Sequence, residues 1–278
     1  MILMEKKIWR ATLHRCMECD ETYKLNYGKL HFYLRTDVPA DYWCFEGLLF
    51  ADEYWPLKLS PVDIVLDVGA NIGIFTVACA KKVRMVISIE PEAENFKLLT
   101  KNVKENSLPN VYLLNYAVSD IAGIVRITGT GGTAHVSAES GLSANAKTLD
   151  GILEEIGNPE ISVLKIDIEG YEYKALSTFH ALSSVRQIIV ETHSGLLTDE
   201  VINLLEEKGF SISDVSKIKR VGVLKRIALH PLSFLNAERK NSYSTLRSLS
   251  NYVFNGGRSP VAADNDDSEQ RIIYGIRR

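Results

Sequence analysis

The chain has 278 residues, of which 46% are hydrophobic, and its formal net charge is −3 at pH 7. This length and composition can supply a full hydrophobic core, and they favour one large α/β domain with extensions. The small negative charge gives no global electrostatic footprint for a polyanion, so nucleic acid is not an expected partner.

The start of the chain predicts no secretory signal. Met1–Lys7 becomes charged before an apolar signal core could form. No later segment approaches the roughly 20 apolar residues of a membrane span. We therefore expect a cytoplasmic protein without a membrane partner, while the sequence gives no indication of the oligomeric state.

Four cysteines, at positions 16, 19, 44 and 79, are too few for a disulfide framework in a chain of this length. The spacing of Cys16 and Cys19 matches half of a zinc site, which His14 and Cys44 could complete. No second cysteine pair follows, however. The prediction is free thiols and no structural metal.

Residues 1–60 show no alternation of strands and helices. Within them, Leu25–Leu34 is a predicted hairpin, and aromatic residues are concentrated between Tyr42 and Trp55. We interpret 1–60 as an N-terminal extension whose aromatic side chains pack as a cap against the sheet. A wall of the substrate site is the alternative interpretation.

From residue 62, β-branched runs alternate with segments of helical period, which is typical of a parallel sheet with crossover helices. The predicted strands are 62–68, 85–90, 111–117, 161–167, 187–192, 210–215 and 271–278. The predicted helices are 71–82, 93–105, 148–156, 171–182 and 198–208, the third capped by Thr148. Gly123–Ala138 is rich in Gly, Thr and Ser and is predicted as a β-hairpin.

A long connection, about 220–269, precedes the last predicted strand. Connections of this length in a compact domain are usually functional or disordered. We predict a lid over the site, with a plain surface excursion as the alternative. The second predicted domain is therefore 61–278 with this insertion.

The first strand of the alternating region ends in a glycine turn, Asp67-Val68-Gly69-Ala70-Asn71-Ile72-Gly73. Glycine lets the main chain approach a ligand closely. Asn71 stands where a dinucleotide fingerprint has its second glycine, which disfavours a pyrophosphate. Glu90 ends the next strand, where its carboxylate can accept both ribose hydroxyl hydrogens.

S-adenosylmethionine meets these requirements, because it needs a ribose acceptor and close glycine packing but no phosphate cradle. Asp120 lies where an adenine amino group would be met, although a turn aspartate is an equally good interpretation. The predicted cofactor-binding residues are Asp67, Gly69, Ala70, Asn71, Gly73, Glu90, Pro91, Asp120 and Asp167.

Charged residues interrupt a strand that should be buried on both faces, at Lys165 and Asp167, and Glu169 follows them. Their period of two places them on one side, at the carboxyl edge where open α/β sheets bind ligands. The next strand ends at the same edge with Glu191 and His193. The sequence therefore predicts that carboxylates and an imidazole converge on one crevice.

Such a cluster can deprotonate a hydroxyl group, and methyl transfer otherwise needs mainly an aligned acceptor oxygen. His193 is the preferred base, because its ordinary pKa suits the task, and Asp167 is the alternative base. The predicted catalytic residues are His193, Asp167, Glu169, Lys165 and Glu191. A structural ion-pair network, or a divalent ion held by Asp167, Glu191 and His193, are the alternatives, and we predict no metal.

These motifs resemble the FkbM-type methyltransferases of the Rossmann-like S-adenosylmethionine-dependent superfamily. The resemblance covers about 60–210 and rests on five motifs: Asp-Val-Gly-Ala-Asn-Ile-Gly at 67–73, Ile-Glu-Pro at 89–91, Thr-Leu-Asp at 148–150, Lys-Ile-Asp-Ile-Glu-Gly-Tyr-Glu at 165–172 and Glu-Thr-His at 191–193. Tyr171 departs from the family, which often has a small residue there, and would narrow the pocket.

The resemblance implies a mostly parallel seven-stranded sheet with an antiparallel last strand and helices on both faces. It also implies O-methylation of a hydroxyl on a sugar or secondary metabolite, so a small-molecule or glycan acceptor is the expected partner. Two alternatives remain open. One is an N- or RNA methyltransferase, which would need a basic strip from Lys217, Lys219, Arg220, Lys225 and Arg226. The other is a non-catalytic cofactor-binding or scaffold protein.

Overall fold

In the computed structural model of the protein, the described residues are 13–15, 22–49, 54, 56–128, 135–137, 141–216 and 270–277. Three predictions lie outside these ranges: the insertion 220–269, the basic strip and the Cys16/Cys19 pair. Phe50 and Trp55 of the aromatic stretch also lie outside them.

The secondary structure follows the predicted alternation. The strands are β1 (Leu13–Arg15), β2 (Thr22–Tyr27), β3 (Leu30–Arg35), β4 (Ile64–Val68), β5 (Met85–Ile89), β6 (Val111–Leu114), β7 (Ala117–Val118), β8 (Gly123–Thr128), β9 (His135–Ser137), β10 (Leu142–Lys147), β11 (Val163–Ile166), β12 (Gln187–Thr192), β13 (Ser211–Asp214) and β14 (Arg271–Ile276). The α-helices are α1 (Pro39–Leu49), α2 (Ile74–Ala80), α3 (Ala93–Glu105), α4 (Leu149–Glu155), α5 (Glu172–Ser177) and α6 (Gly195–Glu207).

Seven strands form the central sheet in the order β13-β14-β12-β11-β4-β5-β6. All neighbours from β12 to β6 are parallel, whereas β14 is antiparallel to both β12 and β13. The predicted Rossmann-like α/β fold with an antiparallel last strand is therefore confirmed. The strand order also places the ends of β4, β5, β11 and β12 side by side at one edge.

Helices cover both faces of this sheet, because successive strand residues point to opposite sides. Leu66 and Val68 pack in one apolar cluster with residues of α4, α5 and α6. Val65 and Val86 pack in a second cluster with residues of α2 and α3. The longest described helices have 13 residues, and none of the described helices is long and apolar enough to cross a membrane.

One predicted strand was wrong in its extent. The sequence predicted a single strand over 111–117, but the chain leaves the central sheet after Leu114. The Asn115 side-chain amide donates to the carbonyl oxygens of Glu90 and Pro91, at 2.8 and 3.2 Å, and so turns the chain away. β7 then pairs with β10 in a separate four-stranded sheet, which includes the predicted hairpin as antiparallel β8 and β9.

Another prediction failed within 171–182, where a single helix was expected. α5 ends at Ser177, and a short 3-10 helix follows over His180–Ser184. The Asp150 carboxylate accepts hydrogen bonds from the backbone N–H groups of His180 and Ala181, which starts a second helical turn. The predicted cap of α4 is confirmed, since the Thr148 hydroxyl accepts from Gly151 N.

The N-terminal strands pack over the α2 and α3 face, where β2 and β3 form the predicted hairpin. Asn102 of α3 and Asn106, the residue that caps the C-terminus of α3, hold the edge strand β3 of this hairpin. Asn102 accepts from Tyr33 N at 2.6 Å and donates to Tyr33 O, while Asn106 pairs in the same way with the backbone of His31. Asn102 also donates to Ile72 O at 2.8 Å, so the hairpin is connected to the glycine turn.

Candidate active site

The glycine turn follows β4 and is fixed by backbone contacts. Gly69 and Gly73 have φ angles of +75° and +85°, and Asn71 also lies in the left-handed region at +51°. The asparagine side chain supports this conformation by accepting a hydrogen bond from Ile72 N at 2.8 Å. A Cβ atom on Gly69 would stand 1.8 Å from the carbonyl oxygen of Asp167. Glycine at this position therefore lets β4 and β11 approach each other closely.

Glu90 lies directly beside this turn, at the end of β5, and is only 3% exposed. Its Oε2 atom accepts from Asn71 N at 2.8 Å, and Oε1 accepts from Glu92 N at 3.0 Å and from the Asn95 amide at 3.3 Å. Burial raises the pKa of Glu90 to about 7, although these donors stabilise the ionised carboxylate. The group is therefore an acceptor that titrates near neutral pH.

Asp67, at the start of the turn, is fully buried and connects the turn to α2 and to Lys165. Its Oδ2 atom accepts from the Thr76 hydroxyl at 2.6 Å, and its Oδ1 atom is 3.4 Å from Lys165 Nζ. Burial raises the pKa of Asp67, against the opposing effect of Lys165. Since its exposed fraction is zero, Asp67 holds the turn from within the protein.

Lys165 links β11 to the glycine turn. The parallel register places it opposite Asp67, and Nζ donates to the carbonyl oxygen of Gly69 at 2.5 Å and lies 3.8 Å from Asp167. Burial disfavours its charge, but Asp67, Asp167 and Glu191 outweigh burial and raise the pKa of Lys165. Lys165 is thus a buried cation that neutralises the surrounding carboxylates.

His193 follows β12 and lies among carboxylates that come from another segment of the chain. Its Nε2 atom is 3.2 Å from Asp167 Oδ1, and its Nδ1 atom is 3.5 Å from Glu169 Oε2. The three side chains are between about a fifth and a third exposed. The structure therefore brings together Asp167, Glu169 and His193, as the sequence predicted.

This geometry determines the charge of the imidazole. Burial would lower the pKa of His193, but the hydrogen bond that its ring donates to Asp167 and the charges of Asp167, Glu169 and Glu172 raise it to about 10. Burial also raises the pKa of Glu169 to about 8, against the effect of His193. The contacts around the ring therefore favour the imidazolium form, whose Nε2–H group is directed at Asp167.

Glu191 lies at the predicted edge, near the end of β12, but its hydrogen bonds go to other segments of the chain. It is 9% exposed and accepts from the Tyr54 hydroxyl at 3.2 Å and from the Gln270 side-chain amide. Its charge still acts on Lys165 and Glu169. Glu191 therefore joins the N-terminal segment and the start of β14 to the edge of the cluster.

Three atoms of the cluster satisfy the distance requirement for a metal site. Asp167, Glu169 and His193 each offer one ligand atom, and these atoms lie within 4.8 Å of one another. The sequence had grouped Glu191, instead of Glu169, with the other two. In the arrangement described, His193 lies between the two carboxylates, and the absence of a metal here stays a prediction.

Several residues of the site had no distinctive signal in the sequence. Thr76 supports Asp67, Asn95 donates to Glu90, Tyr54 contacts Glu191, and Glu172 lies 3.8 Å from His193 Nε2. Glu172 belonged to a motif that had been noted, and Tyr54 belonged to the aromatic stretch between Tyr42 and Trp55. Asp120 accepts from the neighbouring Ser119 hydroxyl, and no described hydrogen bond links it to the glycine turn.

Comparisons with known proteins agree with this geometry. Residues 67–212 match the family described as the methyltransferase FkbM domain, which spans more than half of the chain. The chain belongs to this family. The match includes the glycine turn, Glu90 and the cluster around His193.

Two curated relatives and one solved structure show how far the similarity extends. The hexuronic acid methyltransferase AglP of Haloferax volcanii is 32% identical over 163 residues, which cover 57% of this chain and 67% of that protein. The AMB antimetabolite synthetase AmbE of Pseudomonas aeruginosa is 27% identical over 221 residues, covering 59% of this chain and 10% of that protein. A methyltransferase FkbM from Methylobacillus flagellatus KT has a TM-score of 0.46 at 18% identity, covering 61% of this chain and 44% of the other.

Proposed function

We propose that this chain is an S-adenosylmethionine-dependent O-methyltransferase that acts on a hydroxyl group of a sugar or a similar small molecule. The observation that carries the proposal is the buried Glu90 carboxylate beside the glycine turn, next to the cluster of Asp167, Glu169 and His193. The name of the relative AglP, a hexuronic acid methyltransferase, supports a sugar as the acceptor.

The residues at the turn fit the proposed cofactor by their chemistry. Glu90 offers acceptor oxygens to the hydroxyls of a ribose, and the turn from Gly69 to Gly73 offers bare backbone, with Ala70 and Asn71 within it. Pro91 and Asp120 are proposed for the adenine side. Asp67 supports the turn from within the protein. When bound, the cofactor supplies an electrophilic methyl group on a positively charged sulfur atom.

His193 is the proposed base, with Asp167 orienting it and Lys165, Glu169 and Glu191 setting the local charge. Because the ring carries a proton at neutral pH in the cofactor-free protein, it has to release that proton before it can accept one. A positive charge brought to this edge lowers the pKa of His193 and favours that release. Asp167, directly hydrogen-bonded to the ring, is the alternative base.

The segments outside the matched region are proposed to recognise the acceptor. Residues 1–60 form the proposed N-terminal extension, and 61–278 form the proposed methyltransferase domain with its insertion at about 220–269. Tyr54 supports this proposal for the N-terminal extension. Its ring packs edge-on against Phe75 of α2, with ring centroids 5.4 Å apart, and its hydroxyl donates a hydrogen bond to Glu191.

Two measurements test the proposal. Calorimetry with S-adenosylmethionine is expected to show binding, and methyl-labelled cofactor is expected to transfer label to hydroxylated sugars, including hexuronic acids. His193→Ala is the matched control, because it should retain cofactor binding but lose transfer. Absence of cofactor binding would refute the cofactor assignment, and label transfer to RNA or to amino groups, but not to hydroxyls, would refute the acceptor class.

A further inference from the structure

Glu172 is a fully buried carboxylate that the proposed reaction has not used. It is the first residue of α5, and its relative exposure is 0%. A buried carboxylate is costly unless its oxygens are satisfied. Both oxygens are satisfied by the loop that precedes the helix, which carries two of the residues facing His193.

The contacts of Glu172 hold this loop in an uncommon conformation. Oε1 accepts from Ile168 N at 2.9 Å and from Gly170 N at 3.1 Å, and Oε2 accepts from Gly170 N at 3.0 Å. Between these two donors, Glu169 has a φ of +53°, in the left-handed backbone region that residues other than Gly and Asn seldom adopt. Glu172 therefore fixes the backbone on both sides of Glu169.

The same carboxylate faces the imidazole, since Glu172 Oε1 is 3.8 Å from His193 Nε2. In the part of the chain that the structure describes, the other charged groups around the ring are Asp167 and Glu169 on the loop, Lys165 on β11 and Glu191 on β12. Among the described residues, Glu172 is thus one of three carboxylates within 4 Å of the ring, and of these three it is the one without solvent exposure.

We propose that Glu172 is a positioning residue that clamps the Asp167–Glu169 loop against His193 and sets the pH at which the imidazole loses its proton. It acts through these neighbours, because it is buried beneath them. This inference deepens the proposed function, and the expected effect on kcat rests on that function. The expected effect on the titration of His193 can be measured without cofactor or acceptor.

Glu172→Gln tests the proposal, because it keeps the shape and one acceptor oxygen but removes the charge. Removing a negative charge disfavours the imidazolium, so the titration midpoint of His193 is expected to fall by about one pH unit, measured by NMR of the full-length protein. The pH profile of kcat should move to lower pH by a similar amount, while the dissociation constant of the cofactor stays within about twofold.

Asp150→Asn is the matched control. Asp150 also accepts two backbone N–H groups and pairs with a histidine, His180, at 2.7 Å. This variant is expected to leave the titration of His193 unchanged. Glu172→Asp, which keeps the charge, is expected to restore most of the wild-type midpoint.

An unchanged His193 midpoint in folded Glu172→Gln would overturn the proposal. If that variant does not fold, the wild-type titration decides: a midpoint near the ordinary histidine value of about 6.5 would also overturn it, because the carboxylates would then not bias the ring. A shifted His193 titration without any methyl transfer would support the role of Glu172 and would count against the proposed function alone.

Discussion

The glycine turn and the charged cluster occupy the same edge of the sheet but are built in different ways. The turn is held by backbone geometry: two glycines and Asn71 are in the left-handed region, and backbone N–H groups donate hydrogen bonds to Glu90. The cluster is held by charge, with His193 between Asp167 and Glu169 and with Lys165 beneath. The turn depends on backbone shape and on the single carboxylate of Glu90, whereas the cluster depends on several charges that act on one another.

This difference separates the effects expected from substitutions. Changes at the turn should alter cofactor affinity or stability, because the turn fixes the backbone and the Glu90 carboxylate that are proposed to contact the cofactor. Changes in the cluster should alter the rate and its pH dependence, because each charge there sets the pKa of its neighbours. The following predictions, from the largest expected effect to the smallest, test this separation.

His193→Ala should have the largest effect on catalysis. Removing a general base is expected to lower kcat by about 10² to 10⁴-fold, while the dissociation constant of the cofactor should change by less than about threefold. Steady-state kinetics and calorimetry on the same preparation measure both quantities. A loss of affinity as large as the loss of kcat would break the distinction between the two regions.

Gly69→Ala should destabilise the fold, because the new Cβ would meet the Asp167 carbonyl oxygen at 1.8 Å and φ is +75°. Overpacking and the left-handed conformation together are expected to cost about 2 to 5 kcal/mol of unfolding free energy. Urea denaturation measures this change. Gly209→Ala is the control, because its φ is +85° with no atom near the new Cβ, so a loss of only about 1 kcal/mol is expected. Equal losses in the two variants would show that the contact with Asp167 is unimportant.

Glu90→Ala should weaken cofactor binding without a comparable loss of kcat at saturating cofactor. Losing charge-assisted hydrogen bonds to a ribose is expected to cost about 1.5 to 3 kcal/mol of binding free energy. Calorimetric titration gives this value, with Glu94→Gln on the exposed side of α3 as a control that should bind normally. Unchanged affinity would remove Glu90 from the site.

Cofactor affinity should also depend on pH through Glu90, whose pKa is raised to about 7 by burial. Ribose hydroxyls donate to the ionised carboxylate, so binding should be full above pH 7 and should fall by up to about tenfold per unit as pH decreases below it. Calorimetry between pH 5.5 and 8.5 (an experimental range of about three units) tests this sign. Glu90→Gln should make the titration flat over this range, and a slope retained in that variant would assign the dependence to another group.

The sequence predicted the local elements of the fold better than the features that depend on distant side-chain contacts. Strand periodicity, the glycines and Glu90 are local signals, so β4, α3 and β12 were placed well. The separation of β6 from β7 depends on the Asn115 side chain reaching residues 24 and 25 positions earlier. The extra turn at His180 likewise depends on Asp150, 30 positions away. No local pattern encodes contacts of this range.

The sequence by itself determined the α/β alternation, the family and the set of chemical groups at the edge of the sheet, because each follows from residue type and spacing. Only the tertiary structure decided which partners these groups have and in which direction the pKa of each is shifted. Asp67 and Glu191, both predicted site residues, have partners within the protein, and the likewise buried Glu172, which was not predicted as a site residue, faces His193. Burial and through-space charge set a pKa, and both depend on chain segments that meet only after folding.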